Sequence, residues 1–362
     1  TCTAEGAGAT RDSTQGTPPG SGNANIRSNG GHRGGTGTVA TLGASNWASG
    51  TITGSAPFNV TSPGVLAITG ALGPMTLDGR VFNDNSSVVY NSPTNNLTLK
   101  NSASIFNSGT FTAIGSGTID TDGSAVSLTN NGQFNKTNSS LFIFKPSFNN
   151  NGTGVAITGG VLAIDGDGVS SAPFTMSAGT EVWFPTPFGT TYTWTAGTTF
   201  SGGKVTIDGT GNVATTGPMT INNTNLEVKG GSFTTPSDFT VTSPATMKWK
   251  GGTLAGNGHT VISAGTTFDM NSELAARSMS GHIIDNAGNA TLVSSAFPIS
   301  VDSASTFNNT GNLDIQNDGS LNTNGVGANT FNNSGSVIKS GGAAAFPGKI
   351  QYKQSAGTTD AN

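Results

Sequence analysis

From about Thr51 to about Gln351 the chain alternates apolar and polar residues in short runs, as in Asn312-Leu313-Asp314-Ile315. Period two places successive side chains on opposite faces, so each run predicts a short, half-buried β-strand. No stretch of ten or more residues carries a helical period. Between the runs stand tetrads such as Asn149-Asn150-Asn151-Gly152, Asn308-Asn309-Thr310-Gly311 and Asn332-Asn333-Ser334-Gly335. Asn and Gly reach positive φ at least cost, so the tetrads read as turns.

The strands recur at a fixed step. Phe58-Asn59, Phe82-Asn83 and Phe106-Asn107 are evenly spaced, and Phe307-Asn308 and Phe331-Asn332 repeat the same spacing. The spacing lengthens at Phe134-Asn135, is halved at Phe148-Asn149, and is lost between Asn149 and Phe307. Echoes persist across the gap: Val60-Thr61-Ser62-Pro63 returns as Val241-Thr242-Ser243-Pro244, and Gly73-Pro74-Met75-Thr76 as Gly217-Pro218-Met219-Thr220. Such units are copies of one supersecondary element stacked on itself. The predicted fold is all-β: a right-handed parallel β-helix with about 24 residues per coil, or roughly 12 coils. Inward Phe, Val, Leu and Ile then form columns, and asparagines stack into hydrogen-bonded ladders. Propeller blades of roughly 40–50 residues fit the step poorly, and no period near about 100 residues points to tandem sandwiches.

Residues 1–45 read as a Gly/Ser/Asn-rich N-terminal arm or cap, 46–351 as the solenoid and 352–362 as a C-terminal tail. The run from Gly16 to Gly37 has almost no apolar residue with which to build a core. Charged residues make up only 9% of the chain and the formal charge is −4, with 54 glycines. Low net charge with alternating apolar runs favours strands and tight turns over disorder. The 15 Lys and Arg residues are scattered, which argues against nucleic acid as a partner. No apolar run approaches the roughly 20 residues that span a bilayer, so membrane insertion is not expected. The absence of an initiator Met at Thr1 reads as a processed or excised segment. Cys2 stands alone, a free or intermolecular thiol rather than a lipid anchor.

The Phe-Asn-Asn-Ser/Thr-Gly units, the run Trp249-Lys250-Gly251-Gly252-Thr253-Leu254-Ala255-Gly256-Asn257-Gly258, and Ala196-Gly197-Thr198-Thr199-Phe200 with its echo at Ala264–Phe268 carry a resemblance. They resemble the β-strand repeats of large secreted bacterial surface proteins, the haemagglutinin-like and autotransporter-passenger β-solenoids. The likeness covers most of residues 50–345 and implies a secreted right-handed β-helix. No secretion domain or outer-membrane barrel is recognisable in the chain.

Candidate chemistry is sparse. Asp120-Thr121-Asp122-Gly123 and Asp165-Gly166-Asp167-Gly168 space carboxylates two apart, as a Ca²⁺ loop or an acid/base pair would, but lack the further ligands of an EF-hand. Solvated Asp-Gly corners are the simpler reading. Trp183, Phe184, Phe188, Tyr192 and Trp194 cluster beside Glu181, and Trp183, Tyr192 and Trp194 are candidates for stacking on carbohydrate rings. The competing reading is core packing. His32, His259 and His282 are isolated, and no metal or cofactor site is expected. Thr-x-Thr pairs do not recur at the coil period, against an ice-binding face.

These features lead to a non-enzymatic, extracellular bacterial solenoid acting as a stalk, adhesin segment or filament subunit. Its expected partners are other copies of itself, end to end or laterally, and surface glycans. The alternative is a carbohydrate-active β-helix, lyase or hydrolase, or a carbohydrate-binding module.

Overall fold

A computed structural model describes residues 32–33, 39–41, 43–271, 275–293, 297–323, 325–343, 346 and 348–361. The N-terminal arm up to residue 31, with Cys2, lies outside the described residues, and strands Val39–Thr41 and Ala44–Trp47 begin within the segment assigned to the arm. The chain divides into two compact units, Thr1–Val182 and Trp183–Asn362.

Both units are parallel β-solenoids, as expected, and among the described residues no helix occurs. One coil of the first unit runs Leu97–Lys100, Ser104–Asn107 and Thr110–Ala113, so three short strands wrap three faces. Each strand pairs in parallel with its counterpart one coil away, for example Thr110–Ala113 with Gln133–Lys136. In the second unit a coil runs Thr246–Trp249, Gly252–Ala255 and His259–Ile262. Coil length varies: Val155 pairs with Phe174 across a short coil, and Gly50 with Met75 across a longer one. The turn averages about 22 residues, slightly shorter than the Phe-Asn step.

Inward residues form the buried core of each coil. Phe58 and Phe82 lie in register with ring centroids 5.1 Å apart, Phe111 and Phe134 stack at 5.3 Å, and Phe307 and Phe331 sit at 5.3 Å. Burying such a side chain contributes about 1.5–3 kcal/mol. Side-chain columns therefore hold one coil to the next, in addition to the backbone ladder.

Two expectations need correcting. The step from Phe82 to Phe106 breaks the register, because Phe82 pairs with Ile105 and Phe106 lies opposite Asn83. Phe106 consequently points outward and is 38% exposed. A one-residue slip moves a whole strand's pattern to the other face. The Asn-Asn pairs of the tetrads are strand rather than turn residues. Asn149 and Asn150 end Ser147–Asn150, Asn308 and Asn309 end Thr306–Asn309, and Asn332 and Asn333 end Thr330–Asn333. Only the following pair, such as Thr310-Gly311, makes the corner. Glycine is required there by proximity: a Cβ on Gly335 would lie 2.2 Å from the Gly311 carbonyl oxygen of the coil before.

Past residue 351, where the sequence suggests a tail, strands Gln351–Gln354 and Thr358–Ala361 continue the stacking onto Thr330–Asn333 and Ser336–Lys339.

Candidate functional site

The Phe-Asn-Asn unit has a direct structural meaning: Phe inward, first Asn outward, second Asn inward. Asn286, Asn309 and Asn333 form an inner ladder in the second unit, each at most 1% exposed. Asn286 Nδ2 donates to Asn309 Oδ1 (2.8 Å), and Asn309 Nδ2 to Asn333 Oδ1 (2.9 Å). The same amides donate to the carbonyls of Asn312 and Ser336 in the coil beyond, at 3.1 and 3.0 Å. In the first unit Asn107, Asn130 and Asn150 do likewise and end on Ser170 Oγ. Buried amides are thus paired where the strand turns the corner.

The outward Asn positions form a second ladder, on the face built from His259–Ile262, Ile283–Asn286, Thr306–Asn309 and Thr330–Asn333. Asn332 Nδ2 donates to Asn308 Oδ1 (2.8 Å), and Asn308 Nδ2 donates to Asp285 Oδ1 (2.6 Å). The other Asp285 oxygen accepts from His259 Nδ1 at 2.6 Å, since a carboxylate offers no proton. The face carries a shallow depression of about 280 Å³ lined by Asp285, Asn308, Asn332, Ser334 and Ser355 among others. Side-chain amides, hydroxyls and one carboxyl group line it.

Charges are few, and several of them pair across coils. Glu227, 6% exposed, faces outward between Lys250 (2.6 Å), Lys204 (3.3 Å) and Lys229 (3.6 Å). Burial works to raise its carboxyl, but the three ammonium groups outweigh it and hold the group below its usual range. Asp120 pairs with Lys145 at 3.1 Å. Asp122 caps its own turn through the Ser124 amide and hydroxyl, which hold its carboxyl low. Asp165 is raised by burial, with Lys145 opposing and Asp120 adding to the shift. Among the described residues no group of three or more His, Cys, Asp and Glu side chains is placed to hold a metal ion.

The aromatic candidates divide by face. Tyr192 and Trp194 are fully buried, their rings 4.9 and 5.4 Å from Phe184, with Trp194 also against Phe200 and Phe233. Alternation along Thr191–Trp194 sends both inward, which removes their rings from the reach of a ligand; this corrects the carbohydrate-stacking expectation for these two. Burial also raises the Tyr192 hydroxyl. Trp183 sits on the outer side of Glu181–Thr186 and is half-buried. Phe188, at the following corner, is 88% exposed.

Several buried polar residues escape sequence reasoning. His282 donates from Nδ1 to the Gly256 carbonyl (3.2 Å) and accepts at Nε2 from the Thr260 hydroxyl (2.9 Å), which fixes a neutral ring. Burial pushes it down to about 4. Lys136 faces inward and donates to the carbonyls of Thr137, Asn138 and Gly159 at 2.6–3.2 Å; burial lowers it to about 8. Arg80 and Arg277 are also buried, and bond the carbonyls of Thr53, Pro57, Met270 and Phe297. These cations are satisfied at least in part by backbone carbonyls. The one sequence cue is a charged residue at an inward position of the alternation, and that position is known only once the register is.

No family model, curated protein or solved structure matches this chain.

Proposed function

We propose that this chain is a structural and adhesive segment of an extracellular surface protein, a stiff solenoid spacer that associates with copies of itself. The observation that carries the reading is the double ladder: Asn286–Asn309–Asn333 within and Asp285–Asn308–Asn332 without tie successive coils through side chains as well as backbone. Bending or stretching would break both sets of bonds together with the backbone ladder. A charged fraction of only 9% and outward Asn, Thr and Ser leave faces that pack laterally at little electrostatic cost. The outer Asp285–Asn308–Asn332 face is the surface for glycan contact in the adhesive role.

Electron microscopy of the purified protein across a concentration series tests this reading, with a polysaccharide turnover assay run on the same sample. Concentration-dependent fibres or bundles without turnover are the expected outcome. Monodisperse particles at every concentration, together with polysaccharide cleavage, would move the chain to the carbohydrate-active class.

A further inference from the structure

The inner ladder of the first unit begins at an acid. In the Phe-Asn-Asn unit the third residue faces inward, as Asn150, Asn309 and Asn333 do. The corresponding residue of Phe82-Asn83-Asp84 is Asp84, fully buried and in register with Asn107. Every rung runs in one direction: the Nδ2 of one coil donates to the Oδ1 of the next, from Asn107 to Asn130 and from Asn130 to Asn150. A carboxylate at position 84 has no proton to donate. The consequence is visible on both sides of the missing rung, since Asp84 Oδ2 and Asn107 Oδ1 are both buried acceptors without a partner. The other Asp84 oxygen accepts from the Ser86 amide at 3.0 Å.

Two unpaired acceptors at in-register positions repel, and each has lost its water without gaining a hydrogen bond. One proton relieves both. The geometry points to Asp84 being held as the neutral carboxylic acid, its Oδ2 hydroxyl donating to Asn107 Oδ1 as the missing first rung of the ladder. The surroundings favour it. The flanking strands Phe58–Ile68, Ser104–Asn107 and Thr110–Ala113 carry no titratable side chain. The other titratable group on strand Val81–Tyr90 is Tyr90, whose hydroxyl donates to the Thr118 carbonyl. Arg80, just before the strand, donates to the carbonyls of Thr53 and Pro57. Burial raises the Asp84 carboxyl from 3.8 to about 6, against the opposing Ser86 amide. A hydrogen bond donated by the neutral form raises it further.

Below pH 3.8 the folded and unfolded chains both hold the proton, and between there and about 6 only the folded chain does. Stability of these coils is greatest in acid and falls as pH rises across that window, by on the order of 100-fold in the opening equilibrium.

Hydrogen exchange on the full chain, read at the amides of Val81–Tyr90 and Ser104–Asn107 from pH 4 to pH 8, tests the assignment in wild type and Asp84→Asn. The Asn variant supplies a permanent donor, so its protection is expected to stay flat and to exceed that of wild type at pH 8. Infrared spectra should show a buried protonated carboxyl stretch near pH 5 in wild type that is lost in Asp84→Asn. An equal pH slope in both proteins, a variant less protected than wild type at pH 8, or failure of the isosteric variant to fold would each overturn the proposal.

Discussion

Asn308 and Asn309 are neighbours on strand Thr306–Asn309, chemically identical and on opposite sides of the sheet, so together they form an internally controlled experiment. Asn309→Ala removes the acceptor of Asn286 Nδ2 and the donor to Asn333 Oδ1 and the Ser336 carbonyl. Two of the stranded groups retain a second bond, Asn286 to the Asn312 carbonyl and Asn333 Oδ1 to the Gly335 amide. With three buried groups disturbed at about 1–3 kcal/mol each, and two of them partly compensated, the expected loss is about 2–4 kcal/mol. Asn308→Ala breaks bonds to Asp285 and Asn332 on a half-buried outer face where water replaces the lost partner, and should cost less than about 1 kcal/mol. Because coils of a solenoid open locally, the readout is native-state hydrogen exchange at Thr306–Asn309 and Thr330–Asn333. Protection should fall by about 30- to 1,000-fold in Asn309→Ala and by less than about 5-fold in Asn308→Ala. Equal losses, or a larger one at Asn308, would refute the view that the inner ladder holds the coils together.

Further outcomes follow from the buried ionisable groups. Burial holds His282 at about 4, so the folded chain refuses a proton that the unfolded chain accepts below about 6.5; the coils around it should lose about 3 kcal/mol as pH falls from 6.5 to 4, measured by urea unfolding, and His282→Gln should flatten that slope. Lys136, lowered to about 8 from 10.5, makes stability rise between those pH values by about 3 kcal/mol, and Lys136→Met should remove the rise. Gly335→Ala places a methyl 2.2 Å from the Gly311 carbonyl and should cost about 1–3 kcal/mol in the same unfolding assay.

Architecture was legible because stacking repeats itself: Phe58 over Phe82 and Phe307 over Phe331 are one contact written twice, and period two supplied the strands. The asparagine ladders followed from the same units. Register was less legible. Coils vary in length, and the spacing that aligns Phe58 with Phe82 misplaces Phe106 by one position, which reverses its face. The facing of the aromatic candidates was hidden for the same reason, since a cluster in sequence does not reveal which rings point inward, as Tyr192 and Trp194 do, and which outward, as Trp183 does. Lys204, Glu227 and Lys250 stand on successive coils in the region where the Phe-Asn step is absent, so nothing in the linear order joins them.

The register of the stacked coils underlies each of these assignments, and a cysteine pair reads it directly. In a Cys2→Ser background, Asn83→Cys with Phe106→Cys places two thiols side by side on the outer face, in adjacent strands separated by about 4.8 Å. That lies within the Cα separation a disulfide needs, about 4.4–6.8 Å. Phe82→Cys with Phe106→Cys, the pair that a strictly even Phe-Asn repeat would align, places its thiols on opposite sides of the sheet. Mass spectrometry after mild oxidation of the folded protein should find the first pair cross-linked and the second free. The reverse result would contradict the inward and outward assignments on which the ladders, the acid rung and the proposed function depend.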